Sequence, residues 1–176
     1  MTELFWQFIL DLYNDVPLEI YEGMLSVFVI GAVAILSMYG FERGWRKIYG
    51  LFVGIYFCLI YCSTVFCRPY SEQYGHNFTP FWSYISILQG GEKILLAENI
   101  MNAVVFVPVG LFLGTLFRKM MLRDIILWGL CISLSIETMQ YLLCRGFSEA
   151  DDVIHNSLGC LFGGGIQKIF LFCNKS

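Results

Sequence analysis

Residues 134–163, LSIETMQYLLCRGFSEADDVIHNSLGCLFG, place Glu137, Gln140, Arg145, Asp151, Asp152 and Asn156 where two strongly apolar stretches meet. An ionisable group inside a membrane span is expensive, so it faces a partner or a wet cavity rather than lipid, and a functional site is the default reading. On a helix Ser133, Glu137, Gln140 and Cys144 share a face at offsets of four, three and four. Asp152, Asn156, Gly159 and Gly163 form a facing stripe on the next apolar stretch, and Asn102 enters a third from the same side. Two kinds of chemistry fit. Glu137 is a candidate general base, with Asp152 or Arg145 to stabilise a reacting group. Alternatively Arg145 beside amides suits a phosphate or carboxylate headgroup. The spacing predicts Glu137, Gln140, Asp152 and Asn156 within hydrogen-bonding distance of one another, directly or through one water, with Arg145 and Asp152 at the rim. The competing explanation is that these groups only tie helices together, as polar pairs between spans do.

The elements that position these residues are long and apolar. The 176-residue chain is 57% hydrophobic, 17% aromatic and only 14% charged, with mean hydropathy +0.66. A soluble domain carries nearer a quarter charged residues. Residues 24–41, 48–67, 100–117, 125–143 and 153–173 are each close to the ~20 residues a span needs. The expectation is an all-α polytopic membrane bundle of about five transmembrane helices plus an N-terminal amphipathic helix. It divides into the N-terminal helix (1–23), two spans (24–67), an extracellular loop (68–99) and a three-helix core (100–176).

The cations set the orientation. Arg43, Arg46, Lys47, Arg118, Lys119, Arg123, Lys168 and Lys175 fall on one side, 8 of 11, and Arg68, Lys93 and Arg145 on the other. The positive-inside rule makes the first side cytoplasmic, with the N-terminus outside. Eleven of the 14 acidic residues fall outside. Glu3, Asp11, Asp15, Glu19 and Glu22 are the wrong charges for a secretory signal, whereas Leu4, Phe5, Phe8, Ile9 and Leu12 recur at helical spacing. That short helix lies at the interface or packs over the bundle.

Seven cysteines lie in or at the ends of spans without a CxxC or converging ligands, so they read as small packing residues and no metal or cofactor is expected. His76 and His155 read as interfacial polar residues. Gly40/Gly44, Gly50/Gly54, Gly110/Gly114 and Gly159/Gly163 have the spacing that lets helix backbones approach, within one chain or between copies of a homo-oligomer. Pro108 kinks its span. In the loop, Asn77-Phe-Thr-Pro-Phe leads into Trp82–Leu88, too short to span and suited to the interface or to a lid, hinged at Gly90-Gly91. Ser148 reads as the N-cap of the last helix.

Asn77-Phe-Thr-Pro-Phe, Asn102-xxx-Phe106-x-Pro108-x-Gly110, Glu137-xx-Gln140 and Asp152-Val-Ile-x-Asn156-xx-Gly159-xxx-Gly163 together resemble the VanZ-like family. The resemblance covers residues 77–165 and extends to a basic position at Arg145, while residues before 70 match nothing in it. It implies a cell-envelope role and resistance to a lipidated glycopeptide of the teicoplanin type, without implying a reaction. The residues expected to carry function are Glu137 and Asp152 for catalysis, and Asn77, Asn102, Gln140, Arg145, Asp151 and Asn156 for ligand binding.

Three function classes remain. One is a non-enzymatic envelope protein whose outward pocket binds a membrane lipid, a lipid-linked cell-wall precursor or a lipoglycopeptide. Another is an intramembrane enzyme with Glu137 as base, although no GxSxG, HExxH or metal set is present. A transporter is disfavoured by five spans without an inverted repeat. Nothing points to a nucleic-acid partner. The topology is directly testable: thiol-accessibility labelling of whole cells should reach a tag at the N-terminus and not one at the C-terminus, and an externally labelled C-terminus would overturn the orientation.

Overall fold

The computed structural model describes residues 43–90 and 94–173. The predicted first span, 24–41, and the N-terminal helix lie outside them. Helix α1 spans Arg43–Tyr61 and runs into a π-helical turn at Cys62–Phe66. Strand β1 (Gly75–Asn77) and the short helix α2 (Trp82–Leu88) follow. Then come α3 (Ile94–Leu116), α4 (Leu122–Leu143), β2 (Phe147–Glu149) and α5 (Ala150–Cys173). The fold is 77% helical, and three helices among the described residues are long and apolar enough to cross a membrane: Ile48–Phe66, Leu95–Leu116 and Leu122–Leu143. Helix α5 has 24 residues, but Asp151, Asp152, His155, Asn156, Gln167 and Lys168 dilute its apolar character.

Helix α3 is the centre, with 67% of its apolar stretch buried against 28% for α1 and 33% for α4. Its most extensive partner is α5, and glycines decide how close they come. A Cβ on Gly159 would run into the Ala103 carbonyl, one on Gly163 into the Val107 carbonyl, and one on Gly110 into the Cys160 carbonyl. Without a hydrophobic force between helices in lipid, such backbone proximity is how spans gain dispersion contact. The opposite side of α5 packs on α4. There Gly164 lies against Ile125, and Cys160 fits beside Gly129 with its thiol donating to the Ile125 carbonyl at 3.4 Å. Cys160 is thus the small packing residue its surroundings suggested.

Helix α1 covers another face of α3. Tyr49 and Tyr56 meet the Phe112 ring edge-on at 5.6 and 5.5 Å, and the Tyr56 hydroxyl donates to the Val105 carbonyl at 2.5 Å. Pro108, within α3, has no N–H for the Val104 carbonyl one turn back. The Tyr56 bond goes to the neighbouring Val105 carbonyl and ties α1 to the turn of α3 where the ladder is interrupted.

The sequence reading departs from this fold in three places. Helix α3 begins six residues before the predicted 100, because Leu95 and Leu96 extend its apolar stretch and Asn99 finds a buried partner in Ser83 at 2.9 Å. Helix α4 stops at Leu143, since Cys144 takes a left-handed conformation (φ 52°), so Cys144 does not continue the Ser133–Glu137–Gln140 stripe. The expectation of a purely helical chain also missed β1 and β2, which pair in parallel with Gly75, His76 and Asn77 opposite Phe147, Ser148 and Glu149.

The glycine contacts make a graded prediction. Gly163→Ala must displace backbone at Val107 and should cost about 1–3 kcal/mol, with Gly159→Leu abolishing the folded protein in detergent. Gly54→Ala, whose Cβ meets nothing within 4 Å, should stay within about 0.5 kcal/mol of wild type. Thermal unfolding of the three purified variants would check the order.

Candidate functional site

The polar residues gather at the end of the bundle where β1 and β2 pair. Each takes a partner that the helical stripes alone do not reveal. Glu137, two turns before the end of α4, accepts the Glu149 backbone N–H on Oε2 at 2.9 Å, with a further polar contact from the Ser148 side chain. Gln140 donates through Nε2 to the Thr64 carbonyl in the π-helical turn at 2.8 Å. Arg145 donates through Nη1 to the Phe66 and Arg68 carbonyls at 2.8 and 2.9 Å. It clasps the end of α1.

On α5, Asp152 accepts from Asn102 Nδ2 at 2.6 Å, and Asn156 donates to the Ser133 hydroxyl at 2.8 Å. Asp151 is fully buried. It accepts the Phe81 N–H, the Ser83 N–H at 3.0 Å and the Ser83 hydroxyl at 2.5 Å. Its carboxylate caps α2 and holds Phe81 in a left-handed conformation (φ 62°), uncommon for a bulky residue. Asn77 turns its Oδ1 to the Thr79 N–H at 3.0 Å and shapes the bend before Pro80.

These bonds correct the expectation of direct Glu137–Gln140–Asp152–Asn156 hydrogen bonds. The four residues share one end of the bundle, but none hydrogen-bonds another. Strand β2 is the reason: it brings a backbone donor to Glu137 between the two helices, while Asn102, brought close by the α3–α5 glycine contact, takes Asp152. The Arg145 side chain holds two carbonyls through Nη1 and does not hydrogen-bond Glu137, Gln140, Asp152 or Asn156. Ser148 is not an N-cap. It pairs with His76 in the sheet, and α5 starts at Ala150.

Several contributors escaped the sequence reading. Glu149 accepts from Trp82 Nε1 at 3.2 Å, and His155 is buried with its Nε2 2.7 Å from the Tyr84 hydroxyl, not interfacial. The run Glu149-Ala-Asp-Asp was a visible signal for a third carboxylate. The three-residue strands offered too little alternation to announce themselves. Trp82, Ser83 and Tyr84 together tie α2 to β2 and α5, so the aromatic stretch of the loop is ordered against this end of the bundle.

Beneath Phe78 and Pro80 a groove of about 390 Å³ opens between α4 and α5. Leu134, Tyr141 and Leu142 form one wall, Val153 and Ile154 the other, and Glu137, Ser148 and Glu149 meet it at the turn. Leu134 and Leu142 are themselves exposed, so the apolar walls continue onto the outer surface of the bundle. Burial pushes the Glu149 carboxyl above the ordinary range; the Trp82 hydrogen bond opposes this, Asp151 and Glu98 add to it and Arg68 lowers it. No group of His, Cys, Asp and Glu among the described residues is arranged to hold a metal ion.

Residues 51–171 match the VanZ/LLP1 family profile. The chain belongs to the VanZ/LLP1 family. Family membership together with three membrane-length apolar helices makes it a membrane protein. Protein VanZ from Enterococcus faecium is 32% identical over 78 residues, covering 44% of this chain and 47% of that protein. The match thus spans about half of that relative's length. No solved structure matches the chain. The family match starts at residue 51, well before the first motif at Asn77, so α1 belongs to the VanZ/LLP1 region instead of lying outside it.

The Asp151 latch has a measurable consequence. Asp151→Ala strands the Phe81 and Ser83 donors, at about 1–3 kcal/mol per buried group. Amides 81–88 should exchange at least about tenfold faster by hydrogen–deuterium mass spectrometry, while those of α3 keep their protection. Unchanged exchange across 81–88 would mean α2 is held by its side chains alone.

Proposed function

We propose that this protein uses the α4–α5 groove to receive the apolar part of an envelope amphiphile: a membrane lipid, a lipid-linked cell-wall precursor or a lipoglycopeptide. The groove is the observation that supports the reading. Apolar walls bury a chain or acyl group, and polar atoms at one end fix its head, the usual composition of a ligand site. Its volume, about 390 Å³, falls in the range of small-molecule pockets. With five spans and the cation-rich loops in the cytoplasm, the groove lies in the outer leaflet, facing the compartment where cell-wall precursors are assembled and where glycopeptides act. Membership of the VanZ/LLP1 family fits a contribution to teicoplanin-type resistance on this account.

Of the eight residues singled out in the sequence, only Glu137 lines the groove. Asn77, Asn102, Gln140, Arg145, Asp151, Asp152 and Asn156 build the frame around it. A second reading, an intramembrane enzyme with Glu137 as general base, draws on the same position, since a base must reach its substrate.

Val153→Trp should fill the groove and Glu137→Gln should alter its polar end while keeping the Glu149 N–H bond. Both are expected to reduce teicoplanin protection of expressing cells at least about fourfold, an effect of roughly 1 kcal/mol on binding, at unchanged protein level. Wild-type protection in both variants would remove the groove from the mechanism. Mass spectrometry of lipids from the same cells separates the two readings. A modified lipid seen only with intact Glu137 indicates catalysis, and an unmodified lipid co-purifying with wild type but not with Val153→Trp indicates binding.

A further inference from the structure

The polar end of the groove offers only one sign of charge. Glu137 and Glu149 line it, and no Lys, Arg or His among the described residues does. Among the described residues, Arg145 donates to the Phe66 and Arg68 carbonyls, and Arg68 acts on Glu149 and Asp152 from outside the groove lining, which leaves Glu137 as the groove carboxyl without a cation. Only 6% of Glu137 is exposed, and it is met by a backbone N–H and a hydroxyl with no cationic side chain in hydrogen-bond contact. A buried carboxyl with no cation beside it is costly to ionise, a cost that a cation entering the groove offsets, whereas an anionic partner meets only carboxyls there.

Resting on the groove reading above, we infer that the occupant is an amphiphile with a cationic head: a long-chain compound carrying a primary ammonium. Its chain lies between Leu134 and Ile154 while the ammonium reaches Glu137 and Glu149. An ammonium brings three donors to the carboxyl oxygens, favours their ionised form and forms charge-assisted hydrogen bonds, about twice as strong as neutral ones. A phosphate or carboxylate head would enter with acceptors facing acceptors. The expectation reverses the one drawn from Arg145 in the sequence, and it does so because Arg145 does not line the groove.

The test uses the full chain in nanodiscs of zwitterionic phosphatidylcholine at low salt, with native mass spectrometry of bound dodecylamine, dodecyl phosphate and dodecanol. Dodecylamine should bind at least about tenfold more tightly than dodecyl phosphate. The preference should fall below about threefold in Glu149→Gln, which keeps an acceptor for Trp82, and in Glu137→Gln. Equal or tighter binding of the phosphate to wild type would overturn the charge inference while leaving the groove occupied. If none of the three binds, or if Val153→Trp binds all of them like wild type, the groove reading itself fails and the inference with it. Folding of each variant is checked by its thermal transition, and retention of the ammonium preference in both folded Gln variants would also overturn the inference.

Discussion

The contact between the α3 and α5 backbones is the constraint on which the other features depend. Gly159 and Gly163 seat α5 on the carbonyls of Ala103 and Val107, and Gly110 returns the contact to Cys160. Any side chain at these positions would push the axes apart. The hydrogen bond from Asn102 to Asp152, at 2.6 Å, lies two turns from Gly159 and exists only at this separation. The same approach brings Asn99 to Ser83 and Ser83 to Asp151 and so fixes α2 as the cover of this end. The groove on the far side of α5 inherits its shape from the same placement, because Val153 and Ile154 are positioned by the face of α5 that α3 does not occupy.

Lipid explains why nearly every polar group near the turn is committed. In water an unpaired Gln140 or Arg145 would be solvated at little cost; in a bundle it must find protein partners. The chain supplies them from broken backbone. The π-helical turn at Cys62–Phe66 and the residues after it free the carbonyls of Thr64, Phe66 and Arg68, and Gln140 and Arg145 take them. Irregular backbone in α1 and polar side chains near the end of α4 are two halves of one arrangement. Neither would be stable alone at this depth.

The sequence made the helices legible because their physics is local. Apolar stretches of spanning length, a proline inside one of them and glycines at four-residue spacing foretold α1, α3, α4 and α5 to within a few residues, and the motifs from Asn77 to Gly163 identified the family. What it hid was non-local. Nothing in Gly75-His-Asn or Phe147-Ser-Glu indicates that they pair, since three residues carry no alternation and their partner lies some 70 positions away. Once β2 is in place, its Glu149 N–H takes Glu137, while Asp152 is held by Asn102. A stripe shows which residues share a face of a helix; it is silent on what another element will insert between two such faces.

That insertion also separates bracing from function among residues that look alike in the sequence. Asp151 is the most thoroughly satisfied carboxylate at this end, with three donors and no exposure, and a group so occupied is a fastening. Gln140 and Arg145 tie the end of α4 and the turn after it to the end of α1, and Asn156 ties α5 to α4. Glu137 braces as well, through the Glu149 N–H, but its position differs because it also borders open volume beside Leu134 and Val153. A residue that holds the turn and contacts the occupant at once couples the two: pulling on the Glu137 carboxylate acts on the backbone of β2, which pairs with β1 and precedes α5. Under the proposed binding role, bracing and binding are therefore not alternatives at Glu137: the carboxylate that fixes the geometry of the turn also borders the groove.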